Sequence, residues 1–114
     1  MELNEYQKKA MGTCLPSCDN FSYMMLNLVG EVGEFAGKVA KSIRKGYATI
    51  EVNDVMDLPT DTDIDLKSEA GDILWQLAGL CKVMGWDLND VAQCNLDKLA
   101  NRKKEGTIIT HQDH

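Results

Sequence analysis

The chain is poor in positive charge. Twelve lysines and arginines stand against 18 aspartates and glutamates, a net charge of −6, with a pI near 4.8. Nucleic-acid polymers and anionic membranes require a basic face, so neither is an expected partner. Histidine is equally scarce: His111 and His114, both in the last four residues. Cys14, Cys18, Cys81 and Cys94 form no C-x-x-C pair, which argues against a zinc site. No apolar run approaches membrane-spanning length, and the first residues do not read as a signal peptide. A reduced, cytoplasmic protein is the expectation.

The chain does have enough apolar material for one core. Its 114 residues are 44% hydrophobic and 26% charged, the proportions of an ordinary globular domain. A domain of this length buries roughly two thirds of its unfolded surface, so disulfides are not required. One domain over 1–106 and a short tail over 107–114 are expected.

Four helical segments can be drawn. The first covers about 3–13, with Asn4 as its N-cap. The second covers about 20–45, where Leu28, Val32, Phe35, Val39 and Ile43 recur at helical steps and Gly46 stops the run. The third covers about 65–85 with Leu66, Ala70, Ile73, Leu77, Leu80 and Met84 on one stripe, and ends at Gly85. The fourth starts at an Asp87/Asp90 capping pair and stops at Gly106. Residues 46–64 read as a loop with a short strand or turn near Thr49–Val52, unusually long for a compact domain. The fold class is therefore all-α, a four-helix bundle-like subunit.

The acidic residues carry the chemistry. Six acid-x-x-acid pairs occur, at 2/5, 31/34, 51/54, 54/57, 69/72 and 87/90, where roughly three would arise by chance. A solvated acidic face accounts for most of them. Glu31/Glu34 and Glu69/Asp72 differ because they interrupt densely apolar helices, MMLNLVGEVGEFAG and EAGDILWQLAGL. If those helices pack together, each like-charge contact near 6 Å costs about 3 kcal/mol at an effective dielectric near 20. A divalent cation would remove that cost. Gly30, Gly33, Gly37, Gly71 and Gly79 read as positions of close helix approach. On residues alone, a metal site and a charged surface remain equal readings. An all-oxygen donor set would suit Mg²⁺ or Mn²⁺, and the absence of Glu-x-x-His motifs disfavours di-iron chemistry.

Asn95, Lys98 and Arg102 form one stripe of the fourth helix. They read either as a salt-bridged surface or as a cradle for phosphate oxygens. Lys38 and Lys41 extend the Glu31/Glu34 face by one and two turns and allow the same two readings. Trp75 faces about 60° away from the Glu69/Asp72 stripe and reads as a core or subunit contact, and Trp86 as a packing plug at the corner. Cys81 and Cys94 read as small core hydrophobes. Met24, Met25, Val29 and Trp75 are more apolar surface than a small bundle can hide, so association is expected.

The strings GE31VGE34, E69AGD72ILW and N95LDKLANR102 with its closing glycine, together with the opening LNEYQKKA, resemble the MazG-like all-α nucleoside triphosphate pyrophosphohydrolases over about residues 3–106. The resemblance implies Mg²⁺ held by Glu31, Glu34, Glu69 and Asp72. It implies water attack on the α-phosphorus with a proton taken by Glu31 or Glu34. It implies nucleotide contacts from Asn95 and Lys98, with Arg102 and Lys38 as further substrate-binding candidates, and a homodimer or homotetramer. Clearance of surplus or non-standard nucleotides is the expected role. The chain departs from the family in the 46–64 insertion and in Gln76, where many relatives carry an aromatic. The rival readings are a non-catalytic helical partner protein with a structural metal, and a hydrolase of another phosphoanhydride.

Overall fold

A computed structural model describes residues 1–50 and 56–106. The centre of the expected 46–64 insertion, with the whole 51/54 acidic pair, Asp54 of the 54/57 pair and part of the Thr49–Val52 strand, lies outside the described residues, as does the 107–114 tail.

The described chain is α1 (Leu3–Met11), a 3-10 turn (Pro16–Cys18), α2 (Phe21–Arg44), β1 (Thr49–Ile50), β2 (Met56–Asp57), α3 (Thr60–Val83) and α4 (Leu88–Glu105). The two strands are a minimal antiparallel ladder pairing Thr49 with Asp57 and Ile50 with Met56. The architecture is otherwise all-α.

Local chemistry sets most helix ends. Asn20 caps α2 by accepting from the Tyr23 N–H at 2.8 Å, and Asp87 caps α4 through the Asp90 N–H at 2.8 Å. Gly85 and Gly106 follow α3 and close α4 with φ of +77° and +79°, values that cost a residue with a Cβ dearly.

One helix start and one cap differ from expectation. α3 begins at Thr60 rather than 65, behind Pro59, with Asp61 and Asp63 in its first turn. Those acids looked like loop polarity in the sequence, yet they favour the positive pole of a helix N-terminus. α1 begins at Leu3 with no side-chain cap. Asn4 instead accepts from the Asn89 N–H at 2.9 Å, so it caps α4 from a distance.

α2 and α3, 24 residues each and hence about 36 Å long, run antiparallel as the main pair. α1 packs on α3 and α4. The core lies where those three meet: Ala78, Cys81 and Leu88, with Tyr6, Met11 and Val91 against them. Buried Gln7 ties this corner, its Nε2 donating to the Ala78 and Trp86 carbonyls and its Oε1 accepting from the Leu88 N–H. Along the α2–α3 seam, Met24 is fully buried against Gly79, where an added Cβ would collide with its sulfur.

Gly79 is the close approach among the expected glycines. Gly33, Gly37 and Gly71 have open space where a Cβ would point. Other core assignments also change. Cys94 is exposed, as all four thiols are free and only Cys81 is buried. Trp86 is 51% exposed and does not plug the corner. Val32, Ile43, Leu77 and Met84 are exposed, because α2 and α3 find cover chiefly in each other. The Cα radius of gyration, 17.1 Å, exceeds the roughly 13 Å of a compact domain this long.

Candidate functional site

The acidic residues meet on the α2–α3 seam. Asn27, Glu31, Glu34 and Lys38 form one face of α2, at helical steps of four, three and four. Asp65, Glu69, Asp72 and Gln76 form the matching face of α3. The two faces run in opposite directions and are tied at each end. At one end Asn27 Nδ2 donates to Gln76 Oε1 at 2.6 Å; at the other Lys38 Nζ donates to Asp65 Oδ1 at 3.0 Å. These ties are eleven residues apart on both helices, about three turns. The carboxylates lie between them.

One donor oxygen each from Glu31, Glu69 and Asp72 lies within 4.8 Å of the others. Glu31 Oε2 and Glu69 Oε2 are buried without a hydrogen-bond partner. Burial, followed by the charges of Glu34, Asp72 and Glu69, pushes the Glu31 carboxyl above its ordinary pKa. Glu34 is exposed and its charge acts on Glu31, but it is not one of the three converging donors. Buried, unpartnered carboxylate oxygens clustered together are stable only with a proton or a cation among them. The donor set is all oxygen, which fits a hard divalent ion.

Lys38 sits at the edge of this cluster. Its ammonium lies 2.7 Å from Glu69 Oε1 as well as 3.0 Å from Asp65. These two carboxylates hold its pKa well above the ordinary lysine value. Lys38 thus enters the acidic site already paired. Tyr6 reaches the other side from α1: burial and the Asp72 charge raise its phenol pKa.

Gln76 is buried at 2% exposure, bonded to Asn27 and, through Nε2, to the Met24 carbonyl at 3.4 Å. It serves the seam rather than a base pocket. Trp75 donates its indole N–H to the Ala10 carbonyl at 3.1 Å and Thr13 Oγ1 at 3.0 Å, fastening α3 to α1.

The α4 stripe is largely exposed. Asn95 and Lys98 are exposed and Arg102 is half-buried. Among the described residues, Asn95 and Lys98 form no side-chain hydrogen bond or ion pair, with the acidic site or elsewhere. Lys41 lines a cavity of about 250 Å³ with Lys38, Ser42, Tyr47, Asp61, Thr62 and Asp65.

Sequence reasoning missed Asp65, Tyr6 and the Asn27–Gln76 tie. A signal for two of them was present. Asn27 stands four residues before Glu31, Gln76 four after Asp72, and Asp65 four before Glu69, so polar residues extend both acidic faces by a turn. Nothing local marks Tyr6.

Residues 19–107 match the family described as the MazG nucleotide pyrophosphohydrolase domain. The Gene 37 protein of Mycobacterium phage L5 is 36% identical over 117 residues, covering 95% of this chain and 94% of that protein. Among solved structures, the crystal structure of iMazG from Vibrio DAT 722 superposes with a TM-score of 0.57 at 24% identity, over 91% of this chain and 97% of that one. At that identity the likeness carries the fold alone.

Proposed function

Since the chain belongs to the MazG nucleotide pyrophosphohydrolase family, we propose that it hydrolyses a (deoxy)nucleoside triphosphate to the monophosphate and pyrophosphate with Mg²⁺. The observation that carries the reading is the convergence of Glu31, Glu69 and Asp72 donor oxygens within 4.8 Å, two of these residues also having a buried oxygen with no partner.

Glu31, Glu69 and Asp72 would hold the cation, with Glu34 at the rim. When bound, the ion supplies charge neutralisation for the polyphosphate and makes water more acidic. Glu34 is solvent-facing and outside the converging three, so we assign it the proton of the attacking water. Water oxygen bonds to the α-phosphorus, its proton passes to Glu34, and the bond from that phosphorus to the bridging oxygen breaks to release pyrophosphate.

The α4 stripe supplies substrate contacts only once α4 and an acidic seam are brought together. Leu26 and Val29 of α2, 74% and 63% exposed, support association into a homodimer or homotetramer. The reading places the protein in nucleotide-pool clearance.

The test is pyrophosphate release from the eight common NTPs and dNTPs and several modified ones, with Mg²⁺ and with EDTA. Release from at least one substrate, abolished by EDTA, is expected. Equal turnover in EDTA removes the metal, and silence across the panel with intact metal binding leaves a structural site.

A further inference from the structure

The sequence allows Lys38 as a surface charge or as a cation for triphosphate oxygens, and its surroundings in the fold offer a third role. Its ammonium contacts two carboxylates, Glu69 Oε1 at 2.7 Å and Asp65 Oδ1 at 3.0 Å. The Glu69 side chain is 13% exposed and that of Lys38 40%. Glu69 therefore has one oxygen fixed by an ammonium. Its other oxygen, Oε2, is buried with no partner, and a Glu69 oxygen belongs to the cluster formed with Glu31 and Asp72.

We propose that Lys38 is a positioning residue for the metal centre, clamping one Glu69 oxygen so that the other is presented to the cation, with Asp65 as the anchor that holds Lys38 in place. The physical ground is twofold. A carboxylate has two equivalent oxygens and a soft terminal torsion, so without a fixed partner it spends its time between orientations. Partners behind a ligand that remove this freedom typically contribute 10–100-fold in metal affinity. Asp65 gives Lys38 a second contact, and its side chain is exposed enough to be replaced without leaving a buried group unpaired. The assignment rests on the proposed metal-dependent hydrolase reading, and its deciding readout is metal affinity, not turnover.

Mn²⁺ binding to the nucleotide-free protein, followed calorimetrically, separates this role from two others. Lys38→Met should weaken Mn²⁺ binding about 10–100-fold with helicity unchanged, and Lys38→Arg should recover part of the loss. Asp65→Ala should weaken it in the same direction by less. If Lys38 were a cation competing for the site, Lys38→Met would tighten Mn²⁺ binding. If it held phosphate, Mn²⁺ affinity would be unchanged while KM rose at saturating Mn²⁺, and Asp65→Ala would lower KM by freeing the ammonium. Either of those results overturns the proposal. Should Lys38→Met fail to fold, Asp65→Ala decides alone, since unchanged or tighter Mn²⁺ binding in that variant refutes the clamp. Loss of the hydrolase reading is recognised separately, as Mn²⁺ binding without pyrophosphate release in the unaltered protein.

Discussion

The α2–α3 seam and helix α4 are held by opposite strategies. The seam is tied at both ends, by Asn27–Gln76 and by Lys38–Asp65, and its acidic residues sit between the ties. Among the described residues, the side-chain bonds from α1 to α4 gather at its first turn. Its first three N–H groups are accepted by Gln7, Asn4 and Asp87, and farther along Asn95, Leu96 and Lys98 are exposed. A pair pinned at both ends can fix carboxylates against their mutual repulsion, whereas the middle of α4 offers exposed polar groups to a partner or substrate. On the proposed function, metal chemistry belongs to the seam and substrate contact to the exposed face of α4.

The largest effect should come from asking each region for its own kinetic signature. Glu34→Gln keeps the shape of the site and removes the proton acceptor, so kcat should fall roughly 10²–10⁴-fold with Mn²⁺ affinity changed far less. Lys98→Met on α4 should raise KM about tenfold, the worth of one charge-assisted contact near 1.4 kcal/mol, and leave kcat near its starting value. Steady-state kinetics on the two variants checks this. The comparison breaks if Lys98→Met lowers kcat as deeply as Glu34→Gln, because α4 would then be part of the rigid chemistry.

The sequence made one region far more legible than the other. The acidic pairs could be found because i, i+3 spacing on a helix guarantees a shared face. The Asp87 cap was within reach because a cap is decided by three or four consecutive residues. The register between α2 and α3 could not be read, since it is set by side chains 27 to 49 positions apart in the chain. Lys38 accordingly offers both a surface and a substrate reading in the sequence, with no sign of its partners Asp65 and Glu69. Asn4 reads as a cap of its own helix for the same reason: its acceptor serves a helix more than eighty residues away. The early start of α3 was obscured because Asp61 and Asp63 suit a loop and a helix N-terminus equally well. Cys94 and Trp86 were placed in a core because apolar residues at helical spacing say which face they share, not whether another element covers it.

An intermediate effect should follow from loosening α4 at its first turn. Gln7 is buried and serves three backbone groups, so Gln7→Ala removes those bonds and strands the Leu88 N–H. The loss should be about 2 kcal/mol, a fall in Tm of roughly 10 °C for a chain this size. Amide exchange should show where that loss is felt: α4 loses protection first, while the α2–α3 amides and Mn²⁺ affinity hold. Equal loss of protection in both regions would mean that the seam leans on α4, and the two-strategy picture would fail.

The smallest effect isolates the last of the three caps. Asp87 Oδ1 accepts from the Asp90 N–H at 2.8 Å, and its charge lies at the positive pole of α4. Asp87→Ala removes both contributions and should cost about 1 kcal/mol. Asp87→Asn keeps the acceptor and removes only the charge, so a few tenths of a kcal/mol are expected. Urea unfolding resolves the two if the slope is unchanged between variants. The loss should stay near 1 kcal/mol because the neighbouring N–H groups of Leu88 and Asn89 are served by α1 and are untouched by the change. A loss of 2 kcal/mol or more would show that the three caps act together, so that releasing one loosens the grip of Asn4 and Gln7 as well. In that case α4 would be held by a single cooperative joint rather than by three separable bonds.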